Sequence, residues 1–235
     1  MLQEFDFGEV HPEVSRLLRV YSVVDTVGFD SDGVLFDLDR SVVQKFNSVH
    51  GTSYTVDDIT EWNSIRNWLL KLGKPFEIAD ASQFKDYWEN RDLIKSSLLI
   101  RGAREITLAS MRDGKKVIVA TSRKFHLDEV TRLQVRRWLG WVPQENIRIR
   151  DANDDDQNGF KARVVGLDTI GMFFENDPLH IKEILMHTDA HVVLVPDLPR
   201  YEIEYPEVVS NSRVLRLPKL DLLAQVLFPN PRILY

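Results

Sequence analysis

The stretch TVGFDSDGVLFD, residues 26–37, decides how this chain is read. An apolar run ends on Asp30, and Asp32 follows with only Ser31 between them, just before Gly33. Repulsion and desolvation both disfavour two like charges in that position unless something positive stands between them. Upstream, residues 21–30 (YSVVDTVGFD) are rich in β-branched and apolar side chains and read as a buried strand. Residues i and i+2 of a strand share a face. A turn after Asp30, permitted by Gly33, is therefore needed if the two carboxyls are to address opposite sides of one group.

Outward from this stretch the chain alternates helices and strands. Residues 11–20 read as a short helix, GAREITLASMRDG as a helix and KKVIVATSR as a strand. DEVTRLQVRRWLG is a helix, ENIRIRD a short strand and GFKARVVGLD a short helix. TIGMFFEND and AHVVLVPD are strands, and LDLLAQVL is a late helix. Strands separated by helices predict an α/β fold, a Rossmann-like core whose parallel sheet is flanked by helices. Residues 40–97 break the rhythm. SVVQKFNSVHG, SIRNWLLKLGKP and ASQFKDYWENRDLIKSS have helical spacing, and TVDDITEW offers Thr55 as a cap with Asp57 and Asp58 in the first turn. This predicts a small helical cap, 40–97, inserted into a core of 1–39 and 98–235.

The 235 residues include no cysteine, which excludes disulfides, thiolate zinc sites and cysteine nucleophiles. A net charge of −6 argues against extended nucleic-acid binding. No apolar run is long enough to span a bilayer, and the acidic start MLQEFDFGEV lacks signal-peptide character, so a cytoplasmic protein is expected. The acidic tract DANDDDQNG fails as a calcium loop, because Asp156 stands where glycine is required and Ala162 where glutamate is. It reads as a solvated loop. His187 and His191 read as surface residues. Neither GxxxxGK[ST] nor GxGxxG occurs.

Four fragments fall where strands of such a sheet end: Asp30 with Asp32, Thr121 in VIVATSR, Lys161 in GFKARVV, and Glu175-Asn176-Asp177 in GMFFENDP. In open α/β sheets, ligands collect at the carboxyl ends of the strands. The residue types suit phosphoryl transfer. A carboxylate can attack phosphorus, and a second carboxyl can protonate the leaving oxygen. A hydroxyl and a lysine can hold phosphate oxygens. Further oxygens suit Mg²⁺.

These fragments resemble the motifs of the haloacid dehalogenase (HAD) superfamily in order and spacing, over about 150 residues. DSDGVL is similar to its first motif, VIVATSR to its second, Lys161 (fourteen residues before Glu175) to its third and FFENDP to its fourth. Within the superfamily, FNSVHGTSYTVDDITEWN, VVLVPDLPRYEIEY and SRVLRLPKLDLL resemble the 5'(3')-deoxyribonucleotidase family, where the last region contains a further strand. The resemblance implies a Mg²⁺-dependent phosphomonoesterase working through an aspartyl-phosphate, with a nucleoside monophosphate as substrate. Asp30 is then nucleophile and metal ligand. Asp32 is the general acid and base, with its carbonyl on the metal, and Thr121 and Lys161 hold the phosphate. Ser122 and Arg123 are further contacts, either to the phosphate or to the groups that hold it. The family shows an acidic pair where this chain has Glu175-Asn176-Asp177. Asp177 is taken as the metal carboxylate, with Asn176 through its amide oxygen, or Glu175, as the alternatives.

The aromatics Phe46, Trp62, Trp68, Tyr87 and Trp88 suit a cap core, and a nucleotidase also needs a slot for the base. Phe46 and Trp62 are the candidates for it. Two rival readings stand beside the nucleotidase: a phosphatase for another small ester or a nucleic-acid 3'-phosphate end, and a non-catalytic binding protein. A homodimer is left open.

Overall fold

Every side chain of the first strand, β1 (Thr26–Asp30), is buried, as befits the centre of a sheet covered on both faces. The computed structural model describes residues 12–61 and 63–227. Five more strands follow: β2 (Lys116–Thr121), β3 (Ile147–Ile149), β4 (Met172–Glu175), β5 (His191–Leu194) and β6 (Val214–Arg216). All pair in parallel, in the order β3-β2-β1-β4-β5-β6. The chain winds outward from β1 to β3 on one side and from β4 to β6 on the other. The strand order therefore reverses between β1 and β4, which is where open α/β sheets place their ligands.

Alternation along the strands divides the core. Val27, Phe29, Val117, Val119, Met172 and Phe174 face helices Pro12–Val23, Ala103–Arg112 and Leu220–Leu227. Ile118, Ala120, Phe173, Val192 and Leu194 face helices Gln157–Leu167 and Pro178–His187.

Between the sheet and helix Leu38–His50 the chain makes a tight loop. The Leu35 and Phe36 amides donate to the Ser31 carbonyl at 3.0 and 2.8 Å, and the Gly33 amide to Phe36 O at 3.0 Å. Gly33 has φ +80°, and a Cβ there would stand 2.2 Å from the Asn176 amide, so this position demands glycine twice over. The chain returns beside its own exit, with Asp37 N donating to Leu98 O at 2.9 Å and Ile100 N to Leu35 O at 2.8 Å. The intervening helices enclose their own cluster of Val42, Phe46, Ile65, Trp68, Tyr87 and Ile94, against Leu127 and Val130.

Several elements differ from the sequence expectation. Tyr21 to Val23 belong to the first helix, not to a strand: Tyr21 continues the apolar stripe of Val14 and Leu17, and its hydroxyl donates to Asp113 at 2.9 Å. The TVDDITEW helix is a single 3₁₀ turn, Val56–Asp58, closed by the Thr55 amide and hydroxyl donating to the Asp58 carboxylate. The single helix expected over residues 81–97 is three pieces, Phe76–Ser82, a π-helical turn Gln83–Trp88, and Arg91–Ser96. The break falls at Asn90, whose side chain accepts from the Asp92 and Leu93 amides and so starts a new helix. Helix Pro178–His187, absent from the sequence reading, starts on Pro178 with Asp177 as its cap. His187 is exposed as expected, whereas His191 opens β5 with its Nδ1 enclosed. Among the described residues, no helix is long and apolar enough to cross a membrane.

Candidate active site

β1, β2 and β4 end side by side on Asp30, Thr121 and Glu175, and helix Gln157–Leu167 adds Lys161 from the face it covers. Lys161 is 1% exposed. Its Nζ lies 2.8 Å from Asp30 Oδ2, 2.6 Å from Glu175 Oε2 and 3.0 Å from His180 Nδ1, so two of its protons go to carboxylates. The second Glu175 oxygen accepts from the backbone amides of Asn176 and Asp177, both at 3.0 Å. Burial alone would favour a neutral Glu175; Lys161 and His180 outweigh it and hold the carboxyl well below the usual range. Burial pushes Asp30 up, and Glu175 pushes the same way. Lys161 opposes both, and Asp30 stays above the ordinary value. Desolvation works against the Lys161 ammonium too, but its two carboxylates raise it overall.

The second carboxylate has its own cation. Arg123 forks onto Asp32, Nε to Oδ2 at 2.8 Å and Nη2 to Oδ1 at 2.5 Å. Its remaining arm donates to Thr131 Oγ1 at 3.1 Å and Gln134 Oε1 at 2.9 Å. Gln134 in turn donates to Ser97 Oγ at 2.7 Å, just past the end of helix Arg91–Ser96. Arg123 was expected to contact phosphate or to support a group that does; it is 8% exposed, and its guanidinium holds Asp32. Asp32, expected to carry a free proton, has both oxygens committed to the fork. Thr121 is buried at the strand end, where its Oγ1 accepts from the Arg123 amide at 3.3 Å. The Ser122 hydroxyl is enclosed with no partner among the described residues.

Asp177 was the first choice of metal carboxylate. Its Oδ1 accepts from the Leu179 amide at 2.8 Å, capping helix Pro178–His187, and its side chain is 43% exposed. Asn176 is better placed. Its amide stands 3.2 Å from the Asp32 carbonyl oxygen and 3.1 Å from Glu175 Oε1. With the NH2 group turned inward it donates to both. With Oδ1 turned inward, three oxygens converge next to Asp30, a donor set that suits a hard divalent cation. Among the described residues no group of three His, Asp or Glu side chains gathers as a metal cluster, so such an ion would depend on the amide and backbone oxygens.

Phe46, one of the two base-stacking candidates, is 0% exposed and packed among His50, Tyr54, Trp68 and Tyr87. It is part of the helical core and presents no face to a ligand. Trp62, the other, lies outside the described residues. Sequence reasoning also missed one buried residue here: His180 lies on a helix that was not foreseen.

No protein-family model and no curated protein matches the sequence. Solved structures match its fold. A HAD family hydrolase from Deinococcus radiodurans, with bound phosphate and sodium, is 17% identical at a TM-score of 0.56, covering 87% of this chain and 95% of its own. A protein described as a predicted phosphatase from Clostridium acetobutylicum is 12% identical at 0.58, covering 88% and 99%. CbbY from Rhodobacter sphaeroides, in complex with xylulose-(1,5)bisphosphate, is 13% identical at 0.53, covering 84% and 95%. With six parallel strands in this order and helices on both faces, the chain has the Rossmann-like α/β fold of the HAD hydrolases.

Proposed function

We propose that this protein is a phosphomonoesterase that transfers the phosphoryl group of a small phosphate ester to Asp30 and then to water. The observation that carries the proposal is the Asp30–Lys161–Glu175 cluster at the strand reversal, with Asp32 beside it. It is supported by neighbours of the same fold, one with bound phosphate and one described as a predicted phosphatase.

In this reading Asp30 Oδ attacks phosphorus, the bond to the ester oxygen breaks, and the leaving oxygen takes its proton from Asp32. Arg123 fixes the direction of Asp32, and each carboxyl oxygen keeps a lone pair beyond its one bond to the fork. Asp32 then accepts a proton from the water that attacks the aspartyl-phosphate, which restores Asp30 and releases phosphate. Lys161 and Thr121 hold phosphate oxygens, and Ser122 offers its free hydroxyl. Asp30, the Asp32 carbonyl and Asn176, with Glu175 beside them, would hold Mg²⁺. That ion supplies positive charge to the phosphate oxygens. Residues 40–97 act as a cap over the strand ends. With Phe46 enclosed, the aromatic platform for a base has lost one of its two side chains, so the proposal is for small phosphate esters, with no base preference.

The test is phosphate release from an aryl phosphate by wild type and Asp30→Asn, with Mg²⁺ and with a chelator. Release that needs both Asp30 and the divalent ion is expected. Activity that survives in Asp30→Asn with the chelator present overturns the mechanism.

A further inference from the structure

Asn176 directly follows β4, and its side-chain amide stands between two oxygens, 3.2 Å from the Asp32 carbonyl and 3.1 Å from Glu175 Oε1. Neither oxygen has a proton to give. One is a backbone carbonyl, and the other belongs to a carboxyl that Lys161 keeps ionised. Whatever faces the pair has to be a hydrogen-bond donor or a cation. An amide can serve in either case, because its NH2 and oxygen ends exchange by a half-turn about the Cβ–Cγ bond. With NH2 inward, Asn176 donates to both oxygens, and protein atoms alone satisfy the site. With Oδ1 inward, three oxygens face one another, which is unfavourable until a cation joins them.

The surroundings allow that half-turn and ask for nothing more. A terminal torsion of this kind is broad and roughly two-fold, so both positions are ordinary conformations. The amide has room because residue 33 is glycine: a Cβ there would come within 2.2 Å of it. The backbone meanwhile is held at both ends of the residue. Asn176 N donates to Glu175 Oε1 at 3.0 Å, and its carbonyl accepts from the Tyr201 hydroxyl at 3.1 Å. Only the side-chain torsion has to change between the two states.

We propose that Asn176 is a rotor, with NH2 inward in the metal-free protein and Oδ1 inward when a divalent cation is bound, so that the cation is exchangeable and not a condition of folding. This deepens the phosphatase reading above and rests on it for the choice of Mg²⁺. An aspartate of the same shape has two acceptor ends and cannot make the exchange. It would leave three acceptors facing one another in the metal-free site and would hold the cation more tightly. Stability without metal and affinity for metal are thus traded against each other at this one side chain.

The experiment compares thermal melts of wild type, Asn176→Asp and Asn176→Ala in chelator and across a Mg²⁺ titration. In chelator, Asn176→Asp should melt about 3 °C or more below wild type, since two hydrogen bonds give way to repulsion. Mg²⁺ should close that gap, reaching half its effect at about tenfold less ion than wild type needs, as an added ligand charge provides. Asn176→Ala should also melt below wild type in chelator and gain less from Mg²⁺ than either. An Asn176→Asp protein as stable as wild type in chelator, or a Mg²⁺ requirement equal to that of wild type, overturns the rotor.

Nuclear magnetic resonance reads the turn in wild type itself, whether or not the variants fold. The Asn176 NH2 signals, identified by their loss in Asn176→Ala or by contact with the Tyr201 ring, should exchange slowly with solvent in chelator and faster with Mg²⁺. Signals that Mg²⁺ leaves unchanged overturn the proposal. None of these readouts needs turnover. Wild type that releases no phosphate yet melts and exchanges as expected refutes the phosphatase reading and leaves the rotor standing; phosphate release with an unchanged NH2 signal does the reverse.

Discussion

Lys161 is a buried cation 2.8 Å from Asp30 and 2.6 Å from Glu175, and removing it takes from both buried carboxylates their closest positive partner. Breaking such a pair from one side costs about 3–5 kcal/mol. Lys161→Met should therefore lose about that much in urea unfolding at pH 7, along with its phosphate release; a loss under about 1 kcal/mol would show that the cluster is not closed around the lysine. Gly33→Ala meets a left-handed φ and the Asn176 amide together. It should cost at least about 1 kcal/mol and lower activity as well, whereas a melt and a rate equal to wild type would mean that the loop simply shifts. At this scale the sequence showed which side chains gather but not what each one holds. Asp30, Thr121 and Glu175 announce themselves by residue type at strand ends, and Lys161 by its place fourteen residues before Glu175. The grip of Arg123 on Asp32 depends on which way a long side chain turns after folding, and no local pattern encodes that.

Among the elements, β2, β3 and helix Gln157–Leu167 are tied at one corner by Asp168. Arg148 donates to it through two bonds of 2.8 Å and Lys116 through one of 2.9 Å. Burial opposes its charge, but these bonds outweigh burial and hold the carboxyl below its ordinary value. A lowered folded value means that the stabilisation is complete above the unfolded value, about pH 4, and fades as the pH falls through the folded one. Asp168→Asn should thus cost about 1–2 kcal/mol at pH 7, allowing for solvent around Lys116, and markedly less near pH 2. Urea unfolding at the two pH values checks this; an equal cost at both would assign the effect to packing. The strands were legible in the sequence because apolar runs stopped by acids or turns leave few alternatives. The helices of 40–97 were legible in composition but not in their breaks. Asn90 begins a helix by accepting two amides, and a single asparagine within a helical pattern gives no warning of that. The helix after β4 was missed because ENDP reads as a turn, although Asp177 and Pro178 supply a cap and a first helical residue.

Across the whole molecule, the strand order, the loop that turns at Gly33 and the hinge at residues 36–37 and 98–100 serve one placement. They bring a carboxylate, its lysine and a second carboxylate with its own arginine to the rim where the sheet reverses. The hydrogen-bonded run from Asp32 through Arg123 and Gln134 to Ser97 ties that rim to the end of helix Arg91–Ser96, where the chain returns. Ser97→Ala should therefore lower kcat several-fold with little change in KM, and Ser97→Thr should restore part of it; parallel losses in kcat and KM in both variants would indicate general loosening instead. The central claim is that Asp30 itself becomes phosphorylated. Acid-quenching the enzyme during turnover of an aryl phosphate and mapping its peptides by mass spectrometry tests this most directly. The account predicts one phosphoryl group on the peptide that contains Asp30, absent from Asp30→Asn; steady hydrolysis with that peptide unmodified at every quench time would contradict it.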